Sequence, residues 1–144
     1  MKKTLLIISV FVGCLALTGC GTETLTCSQT GKYGDTTTTQ EIETTFENDK
    51  VKAVETTISL KYPDSYEDNM NKIKKNMEGM LKSNEKKCIT VNVSTDKTTL
   101  KYSLKTEMDK ISDEDKASFG FDAKKNQSKA DVQKSLEKQG YTCK

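Results

Sequence analysis

The chain has no histidine, no tryptophan, no arginine and a single proline among its 144 residues. Without histidine, the commonest general base and nucleophile activator is missing, so Ser-His-Asp and Cys-His catalysis are excluded. The commonest zinc ligand is missing with it. Without arginine there is no planar fork for bidentate contacts to phosphates or base edges, and every basic residue is lysine. Nucleic acid is therefore not an expected partner. The lack of tryptophan argues against a glycan-cleaving cleft, which aromatics usually line. No glycine-rich phosphate loop occurs, and no apolar run reaches the roughly 20 residues a membrane-spanning helix needs. These absences leave no catalytic residue, cofactor site or metal site to assign.

What is present begins with an address. Met1-Lys2-Lys3-Thr4 precedes a 13-residue apolar run, Leu5–Leu17, which closes in Leu17-Thr18-Gly19-Cys20. A basic start, a short apolar core and a small-residue exit describe a signal peptide. The exit resembles the lipobox of bacterial lipoproteins. Cleavage is expected between Gly19 and Cys20, with lipid on the Cys20 thiol. More than one acyl chain gives stable anchoring, so the membrane is an expected partner through Cys20. The expected organisation is a lipoprotein signal peptide over 1–19, a lipidated tether over 20–24 and one domain over 25–144. The expected location is the extracytoplasmic face of the cell membrane. An arginine-free, lysine- and asparagine-rich composition suggests a low-GC, Gram-positive relative.

Removing residues 1–19 leaves 125 residues, enough for one domain with a real core. It also removes Lys2 and Lys3, so 21 lysines face 21 acidic residues and the apparent basic balance vanishes.

Leu25 and Cys27 share one face of a brief strand, and Gly31 and Gly34 flank a loop. A long extended segment follows from Thr36, with Ile42 and Phe46 on one face and Glu41, Glu43 and Glu47 on the other. Glu47-Asn48-Asp49-Lys50 reads as a hairpin turn. The return strand alternates through Val54, Thr56, Ile58, Leu60 and Tyr62, and Pro63 ends it. Val51 is out of phase with that series, which predicts a bulge near the turn.

Ser65 and Asp68 have capping-box spacing, and Met70, Ile73, Met77, Met80 and Leu81 then line one helical face. Ile89, Val91 and Val93 form a strand that turns at Thr95-Asp96-Lys97 and returns through Leu100, Tyr102 and Leu104. Ser112-Asp113-Glu114-Asp115 opens a short helical stretch ending near Phe121. The last helix starts at Ser128 with Asp131 as its capping partner, turns Val132 and Leu136 inward, and stops at Gly140. Tyr141 and Cys143 form a strand fragment. The expected class is α+β: an antiparallel sheet of two hairpins plus short terminal strands, one face covered by two or three helices.

The lipobox, the long Thr/Glu-rich hairpin, the Tyr62-Pro63 exit into an amphipathic helix and the closing Glu137-Lys138-Gln139-Gly140-Tyr141 together resemble the YehR-like family of uncharacterised bacterial lipoproteins. The resemblance spans nearly the whole mature chain. It implies a small α+β lipoprotein domain and no catalytic residues.

With Cys14 lost and Cys20 lipidated, Cys27, Cys88 and Cys143 remain, and two of the three are expected to pair outside the cytoplasm. Cys27–Cys143 is the favoured disulfide, because each lies in a short terminal strand beside an apolar neighbour two residues away. Cys88 could replace either partner. Otherwise it is a free thiol behind Lys86 and Lys87. Methionines at helical spacing are read as core rather than copper ligands. The acidic run 113–115 lacks a calcium loop's alternating ligands and is read as a helix cap.

The expected function is a non-enzymatic binding module for an envelope protein or polymer, with the Thr-rich hairpin face as its surface. Inhibition of a secreted hydrolase is the alternative, and thiol-redox work by Cys88 a more remote one.

Overall fold

The computed structural model describes residues 21–82, 89–111 and 127–144. Three strands of equal length come first: β1 (Thr22–Tyr33), β2 (Thr36–Glu47) and β3 (Lys50–Lys61). Two-residue turns join them. Gly34 takes the first turn with φ +58°, and Asn48 and Asp49 take the second with φ 52° and 58°. Short polar residues tolerate this left-handed conformation, and it matches the twist of the flanking strands. The expected turn at 47–50 is therefore present. So is the bulge: the β2–β3 register shifts at Thr45/Phe46, where Val51 pairs with Phe46, Ala53 pairs with Thr45, and Lys52 is left over.

Pro63 ends β3, and a 3-10 turn over Asp64–Asn69 leads into helix α1 (Met70–Leu81). Ser65 lies inside that turn and caps nothing, which corrects the capping-box expectation. Of the expected inward face, Met70 is buried, and Ile73, Met77 and Leu81 are half-buried. Met80, at 70% exposed, faces solvent instead. Strands β4 (Ile89–Asp96) and β5 (Thr99–Glu107) form the second hairpin. Helix α2 (Lys129–Lys138) starts as expected: the Ser128 hydroxyl accepts from the Asp131 N–H at 3.3 Å and donates to its Oδ2 at 2.7 Å. Gly140, at φ +91°, ends the turn that releases β6 (Thr142–Cys143).

All strand pairs are antiparallel, in the order β4-β5-β3-β2-β1-β6. The chain is mainly β, which corrects the expectation of an α+β domain with one sheet face covered by two or three helices. Two physical reasons account for it. First, β1 is not a short terminal strand: it runs twelve residues, through Gly31, because β2 pairs with it along its full length. Second, the described residues hold two α-helices, and these sit at opposite edges of the sheet. Helix α1 packs on β4 and β5, and α2 on β1 and β6. Each buries only one or two side chains: Met70 from α1, and Val132 and Leu136 from α2. The stretch expected at 112–121 lies outside the described residues.

The main core lies on one sheet face, where Leu25, Cys27, Ile42, Phe46 and Val54 meet Val132 and Leu136. Burying side chains of this size contributes about 1.5–3 kcal/mol each. Thr44 sits among them fully buried, and its hydroxyl has no hydrogen-bond partner among the described residues.

Candidate interaction surface

Strand alternation that turns the apolar residues to the core turns every intervening residue outward. The outward face is polar almost throughout, and the register places its residues in rows. One row runs Thr90, Lys105, Glu55, Glu43, Thr26, and the next Asn92, Ser103, Thr57, Glu41, Ser28. Closer to the 33–36 and 96–99 turns come Ser94, Lys101, Ser59, Thr39, Thr30, then Asp96, Thr99, Lys61, Thr37, Lys32. Glu41, Glu43, Glu47 and Glu55 thus lie on the outward face, as read from the sequence.

The face divides by charge. At one end Glu43 and Glu55 are directly opposed across β2 and β3, with Lys105 on the far side of Glu55. Like charges at such positions repel. At the other end a field of hydroxyls is framed by Lys32, Lys61 and Lys101, and the Thr30 and Thr39 hydroxyls touch at 3.2 Å. Among the described residues these three lysines are in no ion pair. By contrast, Lys52 binds Glu47 at 3.1 Å, and Lys129 at the start of α2 binds Glu23 at 3.0 Å. The lysine frame is not among the sequence expectations, although the alternation Thr57-Ser59-Lys61 and Thr99-Lys101-Ser103 carries it.

Beside the bulge is a shallow depression of about 370 Å³ lined by Thr45, Lys52, Ala53, Lys105, Glu107, Asp109 and Lys110. Glu107 and Lys110 in its wall are ion-paired. Among the described residues, no three His, Cys, Asp or Glu side chains converge as a metal set would. The titrations that move belong to the apolar side: burial raises the Tyr102 hydroxyl above its usual value, nearby Tyr62 adds to this, and burial raises Tyr141.

Of the cysteines, Cys27 and Cys143 are brought together as directly opposed residues of β1 and β6, disulfide-bonded with Cα atoms 4.0 Å apart. The bond is buried at Cys27, and Cys143 packs partly buried against the core. Gly19, Cys20, Cys88 and the acidic run 113–115 lie outside the described residues. No helix among the described residues is long and apolar enough to cross a membrane.

Fold and surface together define a class: a disulfide-closed, mainly β domain built on one six-stranded sheet with a continuous polar outer face. No family model and no curated protein matches the chain. Among solved structures it is similar to the NMR structure of a protein from Streptococcus pneumoniae TIGR4, over 85% of both chains, with a TM-score of 0.50 and 15% identity. At that identity the likeness concerns the fold alone.

Proposed function

We propose that this chain is a lipid-anchored, extracytoplasmic lipoprotein whose domain is a non-enzymatic binding module. Its working surface is the polar outer face of the sheet, and its partner is an envelope protein or polymer. The observation that carries the binding role is that face itself. It presents rows of hydroxyls framed at one end by lysines in no ion pair among the described residues and at the other by opposed glutamates, on a sheet rather than on loops. Polar groups fixed in rows suit recognition of an extended partner, since little conformational freedom is lost on contact. The address is supported by the Leu17–Cys20 lipobox and by the Cys27–Cys143 bond, a bond type that persists outside the reducing cytoplasm. The YehR-like resemblance agrees with the address.

Photocrosslinking in intact cells tests the binding role. A crosslinker at Thr39 or Thr57, on the outer face, should capture a partner. The same crosslinker at Lys134, on the exposed side of α2, should capture none. Equal capture from both positions, or none from either, would remove the outer face from the proposal.

A further inference from the structure

The sheet has two edges, and they are treated differently. At one, β6 covers the middle of β1 and the Cys27–Cys143 bond fastens it there. At the other, β4 is the last strand. Two backbone bonds set the phase of that edge: Tyr62 N–H to the Thr98 carbonyl and Met108 N–H to the Lys52 carbonyl, each 2.9 Å. They direct the even-numbered positions of β5 towards β3. Alternation then directs Thr99, Lys101, Ser103 and Lys105 towards β4, where they meet Asp96, Ser94, Asn92 and Thr90. Ile89, Val91, Val93 and Thr95 are left with N–H and C=O groups aimed away from the sheet, and among the described residues these have no partner. Natural edges are usually blunted by lysine, proline, a bulge or shortness. Strand β4 is eight residues long, pairs without a register shift and contains neither lysine nor proline.

We propose that this edge is the docking site for a second copy of the chain, β4 against β4 in antiparallel, extending the two sheets into one. The strand is complementary to itself. With a two-fold axis through Val93, Val91 meets Thr95 of the second copy, Asn92 meets Ser94, and Thr90 meets Asp96. Asp96, the only charge in β4, then lies one strand from Lys105 of the second copy, an attraction made twice by symmetry. No like charges face each other across the seam. The axis stands perpendicular to the sheet, so both apolar faces stay on one side. The two α1 helices, which pack on β4 and β5 and leave Ile73, Met77 and Leu81 half-buried in the single copy, come side by side. One association thus satisfies the unpaired backbone and brings the incompletely covered helices together.

Native mass spectrometry of the full chain, released from detergent micelles, reads the stoichiometry. Val91→Pro removes an outward N–H and leaves the β5 ladder intact. Asn92→Lys, on the solvent face, sets a lysine opposite Ser94 of the second copy, one strand from that copy's Lys101 and diagonal to its own symmetry mate. The wild type should be a dimer, and each variant should weaken it by at least about tenfold, since every loss counts twice. Circular dichroism and the urea midpoint of Asn92→Lys should match the wild type. A monomeric wild type overturns the proposal, and so does a dimer that survives Asn92→Lys unchanged.

Discussion

Cys27 and Cys143 stand directly opposite each other in the β1–β6 pair, 116 positions apart in sequence and 4.0 Å apart at Cα. The bond closes almost the whole domain into one loop. In the chain-entropy account a loop of this length stabilises by about 4–5 kcal/mol. Replacing both cysteines by alanine should lower the urea midpoint and steepen the slope, because the opened unfolded chain exposes more surface. A midpoint unaltered by the double substitution, or by reductant, would show that β6 contributes nothing through the bond.

Thr44 is buried between Leu25 and Val54, its partners on β1 and β3, and among the described residues its hydroxyl has no hydrogen-bond partner. Valine has the same shape without the stranded polar group. Thr44→Val should therefore stabilise the domain by about 1 kcal/mol in urea titrations. A destabilised Thr44→Val would mean that the hydroxyl has a partner after all.

The two candidate helix caps should behave differently. Ser128 holds the first turn of α2 through both Asp131 contacts, so Ser128→Ala should cost about 1 kcal/mol. Ser65 lies within the 3-10 turn and makes no cap bond, so Ser65→Ala should cost close to nothing. Leu136→Ala, which empties the buried face of α2, should cost about 2–5 kcal/mol. Thermal melts of the three variants give the ranking directly.

Stability should fall in alkali for a specific reason. Burial, with help from nearby Tyr62, raises Tyr102 above its ordinary 10.0, so the fold favours the neutral phenol. That contribution is complete below pH 10 and is lost as pH rises through the raised value. Tyr102→Phe should flatten the decline in midpoint above roughly pH 10. A decline equally steep in the variant would assign it to other groups.

Features that break a pattern locally were legible in the sequence. Asn48-Asp49 marked a tight turn, the phase of Val51 marked a bulge, and Ser128 with Asp131 marked a cap. Apolar neighbours beside Cys27 and Cys143 marked their shared strand face. Features imposed from a distance were not legible. Residues Gln29–Tyr33 have no apolar alternation, because that half of β1 packs no core and is paired only with β2. Its length therefore stayed hidden, and with it the dominance of the sheet. Ser65 and Asp68 have capping spacing, but Pro63 fixes the chain into a 3-10 turn first, with Tyr62 and Tyr66 rings 5.5 Å apart across it. The outer surface was half visible: the glutamates declared themselves by alternation, whereas the lysine frame needs four strands, β5, β3, β2 and β1, in register before it exists.

The claim on which the proposed role depends is that the folded part leaves the cytosol and is tied to a bilayer through Cys20. The intact mass of the native protein, extracted from membranes without reductant, tests it in one spectrum. The account predicts a chain that begins at Cys20, carries a diacylglyceryl group there, and lacks two hydrogens for the bond between Cys27 and Cys143. A chain that still begins at Met1, bears no lipid and has both thiols open to alkylation would contradict it.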